Sequence, residues 1–379
     1  MTDDTLPQPE RLDGAPHPRD TPRLIGQDAA QAAFVDAFNT GRLHHAWMLT
    51  GPRGVGKATL AWRIARFLLA TPSAADAAGM FAPEVPDTLE IGADHPVAQR
   101  VASGGEGRIR NVTRTINPTT KKLRQEIVAD DIRALNGFFQ MSAPDGGYRV
   151  VIIDDADLMN VTAANALLKM LEEPPARALL ILISHQPSGL LPTIRSRCRT
   201  LPLRTLDAAE VSPAMAQAGV QAANADALAA LSGGSVGGAM RLSLLGGASM
   251  YMELVAIVGT LPQMDRPRVL KLAELAAARG GEAKRDLLFT LIDLLLSRLA
   301  RTGATGTHPH PQAAQGEADI LMRLSPDPHQ ARVWADLAAE IGSRARHGIA
   351  VNLDPAALVL DTFIKMAKAA PRASQNGAP

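Results

Sequence analysis

Residues 51–59, with the sequence GPRGVGKAT, combine glycines and a lysine at a spacing suited to holding phosphate groups. Gly51, Gly54 and Gly56 would let the backbone curl, so that several N–H groups converge on phosphate oxygens. Lys57 stands at the start of the next predicted helix, where it would reach the β and γ phosphates. The spacing predicts a phosphate-binding loop. The alternative is a glycine-rich turn between a strand and a helix that holds no ligand.

Ala58 departs from the pattern of a working phosphate loop. The residue after the lysine normally places a hydroxyl on Mg²⁺, and alanine has none. Thr59 follows one residue later, which turns its side chain about 100° around the helix and away from the metal. Nucleotide could still bind through the loop backbone and Lys57, so the binding of ATP with Mg²⁺ stays open.

Acidic residues follow the apolar stretch at 150–153, in the sequence DDAD. An acid at the tip of a buried strand can hold the shell of Mg²⁺, which makes Asp154 the candidate metal residue. Asp155 would polarise an attacking water, although its side chain is one methylene shorter than the glutamate usual there. His185 ends the next apolar stretch and would lie beside a γ phosphate. The alternatives are that the acids cap the following helix and that His185 is a surface residue.

Alternating helices and strands predict that these residues gather at one edge of a sheet. The predicted helices are 28–40, 57–70, 130–140 and 161–173, and the predicted strands are 45–50, 149–153 and 178–184. The strands are apolar on both faces, which is typical of a parallel sheet covered by helices on both sides. Residues 71–125 are predicted to be irregular. The fold class is therefore an α/β phosphate-loop domain with a parallel sheet.

Strand patterns stop after about residue 204, and helical patterns continue to about residue 369. We predict five segments from these changes. They are a disordered tail at 1–20, a phosphate-loop domain at 21–204, a small helical lid at 205–246, a helical domain at 247–370 and a disordered tail at 371–379.

Composition narrows the classes of function. The net charge of +1 gives no basic field over the whole chain for attracting nucleic acid. The one cysteine, Cys198, excludes disulfides within the chain and a cysteine-based zinc site, and it fits a reducing cytoplasm. No apolar run reaches the length of about 18 residues that a membrane span requires, so we expect no membrane segment.

A local basic stretch lies within the predicted irregular region. Its cations are Arg108, Arg110, Arg114, Lys121, Lys122 and Arg124. Such a stretch could contact phosphates. Because no aromatic residues are interleaved with the cations, a solvated loop or hairpin is the favoured interpretation.

Five segments together resemble the clamp-loader branch of the AAA+ ATPases, over about residues 23–205. They are LIGQDAAQAAF, GRLHHAWMLTGPRGVGK, VIIDDADLMN, NALLKMLEEPP and SHQPSGLLPTIRSRC. The helical remainder is similar mainly in layout and in NLDPAALVLDTF. The resemblance implies a helical collar that joins subunits into a ring. It also implies three kinds of partner: other clamp-loader subunits of the gamma/tau and delta types, the sliding clamp, and primer-template DNA reached through the complex.

The resemblance also assigns roles to single residues. Arg197, in the sequence SRC, would reach across an interface to the γ phosphate of ATP held by a neighbour, and the alternative is a surface salt-bridge arginine. Active members carry an arginine in the lid, where this chain has Gly237. Ala58, Asp155 and Gly237 thus depart from an active site in cis, whereas Arg197 is intact.

The resemblance, together with this asymmetry, implies a non-motor subunit of the DNA polymerase III holoenzyme whose own ATPase is weak or absent. Two alternatives stay open. One is an active AAA+ ATPase, either a clamp-loader motor or a repair-associated relative. The other is a stand-alone nucleotide-binding regulator.

Overall fold

The chain folds as two units. One comprises Met1–Gly219 with Ser235–Gly237, and the other comprises Val220–Gly234 with Gly238–Pro379. The computed structural model describes residues 11–12, 14–71, 85–140, 147–221, 224–351 and 353–371. The predicted division into a domain at 21–204, a lid at 205–246 and a domain at 247–370 differs from these units and stays a prediction.

The first unit is built on five strands. They are β1 Ala46–Thr50, β2 Ile109–Val112, β3 Arg149–Ile153, β4 Ala178–Ser184 and β5 Arg199–Pro202. All neighbouring strands are parallel, in the spatial order β2-β3-β4-β1-β5. The register places Thr50 beside Ser184 and Pro202, so the ends of three strands meet at one edge of the sheet.

Seven helices accompany this sheet among the residues described. They are α1 Asp28–Asn39, α2 Lys57–Ala70, α3 Pro96–Ala102, α4 Ala129–Gln140, α5 Val161–Glu172, α6 Pro192–Arg195 and α7 Ala208–Gln217. The buried residues of β1 alternate between two apolar clusters, because successive side chains of a strand point to opposite faces. Trp47 and Leu49 pack in the cluster that contains α1 and α2 residues, and Met48 packs in the cluster that contains α4 and α5 residues.

Helices are the only regular secondary structure among the described residues of the second unit. Its helices are α8 Ala225–Ser232, α9 Val236–Leu245, α10 Gly247–Gly259, α11 Arg266–Ala277, α12 Glu282–Thr305, α13 Glu317–Leu324, α14 Pro328–Ala350 and α15 Pro355–Ala369, and the first two residues of α9 belong to the first unit. Among the described helices, none is by itself both long and apolar enough to cross a membrane. Only α9 and α10 meet that test as a pair, bent by 77°.

A buried ionic network lies in the core of the second unit. Glu317 is fully buried and accepts hydrogen bonds from the Tyr251 hydroxyl at 2.5 Å and the Ala313 N–H at 2.7 Å. Arg298 completes the network, with its Nη1 atom 3.1 Å from Glu317 Oε1. Burial, with the charge of Glu317 adding to it, raises the pKa of Tyr251. Glu317 thus links the Tyr251 hydroxyl, the Ala313 N–H and the Arg298 guanidinium in one buried cluster.

The predicted fold class is confirmed, and several predicted elements match closely. The helix at 57–70 and the strands at 149–153 and 178–184 have the predicted bounds. The prediction of an irregular region at 71–125 was wrong in part, because that region contains α3 and β2. Strand β5 was not predicted at all. Both missed strands are four residues long at a sheet edge, and each has only one buried residue, so they lack the continuous apolar run of the central strands.

The predicted tails fall mostly outside the described residues, which is the case for 1–10, 13 and 372–379. The prediction of a disordered tail at 1–20 was wrong for residues 14–20. His17 is buried against the Trp62 ring, with ring centroids 5.6 Å apart, and a short 3₁₀ turn spans Pro18–Asp20. The proline-rich composition concealed this packing, because an isolated histidine gives no periodic signal.

Candidate functional site

The predicted phosphate loop joins β1 to α2 as a tight turn at the sheet edge. Gly51 has a φ of 137°, and a Cβ atom there would stand 2.4 Å from the Leu203 carbonyl oxygen, so only glycine fits. The buried Gln27 amide donates to the carbonyl oxygens of Val55 at 3.1 Å and Arg204 at 2.8 Å, which ties the loop to the end of β5. The loop shape is therefore fixed by strands and backbone contacts.

Helix α2 begins directly behind the loop, and its N-terminus carries no side-chain cap. Its N-cap residue is Gly56, and the Leu60 N–H donates to the Gly56 carbonyl oxygen as a helical bond. Helix geometry leaves the N–H groups of the first turn, which includes Lys57, Ala58 and Thr59, without helical partners. Such a helix end suits an anion such as phosphate.

Lys57 is buried and contacts its own loop. Its Nζ atom donates to the carbonyl oxygens of Gly51 at 2.5 Å and Pro52 at 2.6 Å. Burial lowers the pKa of the ammonium to about 8, and the charge of Arg53 acts in the same direction, against the carboxylates of Asp154 and Asp155. In this arrangement the lysine bridges the two ends of the loop.

A three-residue segment, Ser235–Gly237, closes directly on the phosphate loop; we call it the lid segment. The Ser235 hydroxyl donates to the Arg53 carbonyl oxygen at 2.8 Å, and the Gly237 N–H donates to the Gly54 carbonyl oxygen at 2.9 Å. A Cβ atom on Gly237 would stand 3.0 Å from the Gly54 Cα atom. A Cβ atom on Gly54, where φ is 78°, would stand 2.4 Å from Ser235 Oγ. Two glycine backbones therefore touch where side chains do not fit.

Asp155 and His185, both predicted to act in catalysis, lie together at the sheet edge. Their Oδ1 and Nε2 atoms are 2.5 Å apart. Arg53 Nη2 also donates to both carboxylate oxygens of Asp155, at 3.0 and 3.1 Å. Burial by itself would raise the pKa of Asp155, but the hydrogen bond from His185 and the charge of Arg53 outweigh it and lower the pKa. The carboxylate is thus ionised and shared between two partners.

The other two acids of the DDAD sequence hold the local backbone. Asp154 Oδ1 accepts from the Asp155 N–H at 2.9 Å. Asp157 accepts from the Ser184 hydroxyl at 2.6 Å and from the backbone N–H groups of His185 and Gln186, which joins the turn after β3 to the end of β4. None of the acids caps α5, because its N-cap is Asn160, whose side chain accepts from the Ala163 N–H at 2.9 Å. Among the described residues, no group of three or more His, Cys, Asp or Glu side chains could hold a metal ion.

Arg197 follows α6 at the surface of the first unit. Its Nη2 atom lies 2.9 Å from Glu172 Oε1, and its Nη1 atom donates to the Thr193 carbonyl oxygen at 3.0 Å. The two charged side chains are 36% and 52% exposed, and exposed pairs of this kind contribute about 0.2–1 kcal/mol. Burial raises the pKa of the neighbouring Cys198 thiol to about 12, so this cysteine is a packing residue.

Sequence reasoning missed three of the residues that shape these sites: Arg53, Glu172 and Ser235. Arg53 lies inside the loop motif, and its charge opposite the DDAD acids was the one signal that could have found it. Ser235 is 182 residues from its partner Arg53, and Glu172 is 25 residues from its partner Arg197. Contacts between residues so far apart in the chain leave no local sequence pattern.

The parallel sheet, the loop after β1 and the acids after β3 define the first unit as an α/β domain of the phosphate-loop class. Residues 26–207 match the family described as "DNA polymerase III, delta subunit".

Curated relatives extend the match. The DNA polymerase III subunit delta' of Pseudomonas aeruginosa is 40% identical over 216 residues, which cover 56% of this chain and 60% of that protein. The gamma/tau subunit of Mycobacterium tuberculosis is 31% identical over 190 residues, or 48% of this chain and 28% of that protein. The chain therefore spans less than two thirds of either relative. A solved gamma-subunit-related protein of Thermotoga maritima covers 88% of this chain and 99% of its own, at 17% identity and a TM-score of 0.39.

Proposed function

We propose that the chain is a delta'-type, non-motor subunit of a DNA polymerase III clamp loader, acting in the cytoplasm to load the sliding clamp on primed DNA. Its own ATPase would be weak or absent, and Arg197 would act at the ATP site of a neighbouring subunit. The relatives described above, which are delta' and gamma/tau subunits of DNA polymerase III, support the assignment to such a complex.

The observation that carries the non-motor role is the backbone contact between Gly54 and Gly237. An arginine in the lid of an active subunit would bring positive charge to the phosphates. Here that position supplies an N–H to the loop, and even a Cβ atom would approach the Gly54 Cα atom to 3.0 Å. An arginine could stand there only if the lid segment moved away from the loop.

The residues of the loop fit a phosphate group better than they fit a metal-organised nucleotide. The glycine-rich turn and the open N-terminus of α2 suit phosphate oxygens, with Lys57 beside them. Ala58 offers no hydroxyl to Mg²⁺, which leaves Asp154 to hold the metal shell. ATP, when bound, would supply a transferable phosphoryl group. The chain's own residues would bind it weakly and gain little from the metal.

Arg197 suits a role at a neighbour's ATP. A guanidinium is planar, always charged and able to neutralise charge that develops on a transferring phosphoryl group. Because its partner Glu172 is exposed, exchanging that carboxylate for a phosphate would cost no more than about 1 kcal/mol. The ion pair can therefore hold the arginine in place until the neighbour binds.

The second candidate function is an active ATPase, and the contact between Asp155 and His185 favours it. A carboxylate in contact with a histidine at the sheet edge is a pair of side chains that could orient and polarise a water. ATP turnover by the purified chain separates the two functions. We expect no turnover above that of the Lys57→Ala variant. Rapid turnover that Lys57→Ala abolishes would show that the chain is a motor subunit.

A further inference from the structure

A hairpin at residues 115–124, which we call the basic hairpin, follows the edge strand β2. Ile116 and Leu123 pair across it as an antiparallel bridge. The Arg124 N–H donates to the Thr115 carbonyl oxygen at 2.9 Å, and the Asn117 N–H donates to the Lys122 carbonyl oxygen at 2.8 Å. The basic stretch at 108–124 thus contains part of β2 followed by this hairpin, and whether the stretch contacts phosphates stays a prediction.

Charge is concentrated in this part of the chain. Residues 107–125 contain six arginines and lysines and no aspartate or glutamate, although the whole chain has a net charge of only +1. Arg108 is paired with Glu106 at 3.0 Å. Lys121, Lys122 and Arg110 are exposed, and within the described part of the chain no carboxylate lies at ion-pair distance from any of them. Three cations are therefore available to an anionic partner.

Lys121 occupies a backbone conformation that favours other residues. Its φ is 55°, in the left-handed region that glycine and asparagine adopt at lower cost. The turn itself is held by Asn117, whose side-chain oxygen accepts the N–H groups of Thr119 at 2.9 Å and Thr120 at 3.2 Å. The turn thus does not need a lysine for its shape, which directs attention to what the lysine side chain contacts.

We infer that the basic hairpin contacts the phosphate backbone of nucleic acid without reading its sequence. Its tip presents the ammonium groups of Lys121 and Lys122 beside the exposed Thr119 and Thr120, and these group types are the ones that contact phosphates. No aromatic residue stands in the hairpin to stack on bases. Its apolar pair, Ile116 and Leu123, is half-buried, so the tip lacks the apolar anchor of a protein interface. This inference does not depend on the proposed function, because the cations belong to the chain itself.

Salt-dependent binding of the full chain to a fluorescently labelled primer-template DNA tests the inference. The variant is Lys121→Asn with Lys122→Gln. The control is Lys271→Gln with Lys284→Gln, which removes the same charge from exposed positions of α11 and α12. Each lost phosphate contact lowers the slope of log K against log salt by about 0.9 on duplex DNA. We expect the hairpin variant to lower the slope by about 2 and the control to leave it unchanged.

The inference would be overturned by absence of binding by the parent chain at low salt, or by an equal loss in the control variant. Urea unfolding guards against a trivial cause, because Lys121→Asn relieves the left-handed lysine and should not lower the midpoint. If DNA binding is unchanged and association with other clamp-loader subunits weakens instead, the hairpin is a protein interface and the inference fails. A scrambled DNA sequence should bind as well as the original, and a strong sequence preference would also contradict it.

Discussion

Gly237→Ala is the sharpest test of the contact between the lid segment and the phosphate loop. The added Cβ atom would stand 3.0 Å from the Gly54 Cα atom, which is backbone and cannot rotate away. Inserting a methyl group into such a contact costs about 1–3 kcal/mol. Gly237 lies in α9 and has no positive φ, so alanine adds no backbone strain that would confuse the measurement.

Gly137→Ala is the matched control. Gly137 lies inside α4, and a Cβ atom there meets nothing within 4 Å. Replacing glycine by alanine in a helix stabilises it by up to about 1 kcal/mol, and this gain applies in some degree to both variants. The free energy of unfolding should therefore be lower in Gly237→Ala than in Gly137→Ala, by about 1–3 kcal/mol.

Urea unfolding measures this difference, and hydrogen exchange locates it. The Gly237 N–H donates to the loop, so its exchange should accelerate about 5- to 150-fold if the variant opens the lid segment alone. If Gly237→Ala were as stable as Gly137→Ala and exchanged at the parent rate, the contact would not exist. The reason for excluding an arginine at position 237 would then be lost.

Two further changes probe buried charges. The pKa of Lys57 is about 8 in the folded chain against 10.5 unfolded, so the unfolded chain binds more protons between these values and the lysine's contribution to stability rises with pH. The unfolding free energy of the parent minus that of Lys57→Met, from urea titrations, should therefore increase from pH 8 to about pH 10; a flat difference contradicts the lowered pKa. Glu317→Gln leaves the Arg298 guanidinium buried without its carboxylate and should cost about 3–5 kcal/mol in urea unfolding. Glu340→Gln, at an exposed pair with Lys365, should be nearly neutral, and equal effects would refute the role of burial.

Most of the sheet domain could be predicted, because its central strands have a clear sequence pattern. β3 and β4 are buried on both faces, so their residues form short, continuous apolar runs. The edge strands β2 and β5 each have one buried residue among four, which is too few to form a recognisable pattern. The order of the strands depends on crossovers between distant segments and leaves no local trace.

Some features of the candidate site could likewise be predicted from the sequence, and others could not. The spacing of the loop glycines and Lys57 in the sequence predicted a phosphate-binding loop, and the structure places these residues in one turn between β1 and α2. The partners of Asp155 could not be predicted with the same detail. Its short carboxylate is drawn toward Arg53 and His185, which come from two other strand ends. The contact between Gly54 and Gly237 depends on where the lid segment lies in the folded chain. The spacing of residues in the sequence does not predict that position.

The rate of ATP hydrolysis by a reconstituted clamp-loader complex tests the proposed role of Arg197 most directly. Supplying or removing such an arginine changes the rate at one ATP site by about 10³- to 10⁵-fold. We expect Arg197→Ala to abolish turnover at one site, and Arg195→Ala, a neighbouring arginine of α6, to leave it unchanged. Lys57→Ala should also leave turnover unchanged. Full activity with Arg197→Ala, together with a loss from Lys57→Ala, would mean that the chain hydrolyses ATP itself and offers no arginine to a neighbour.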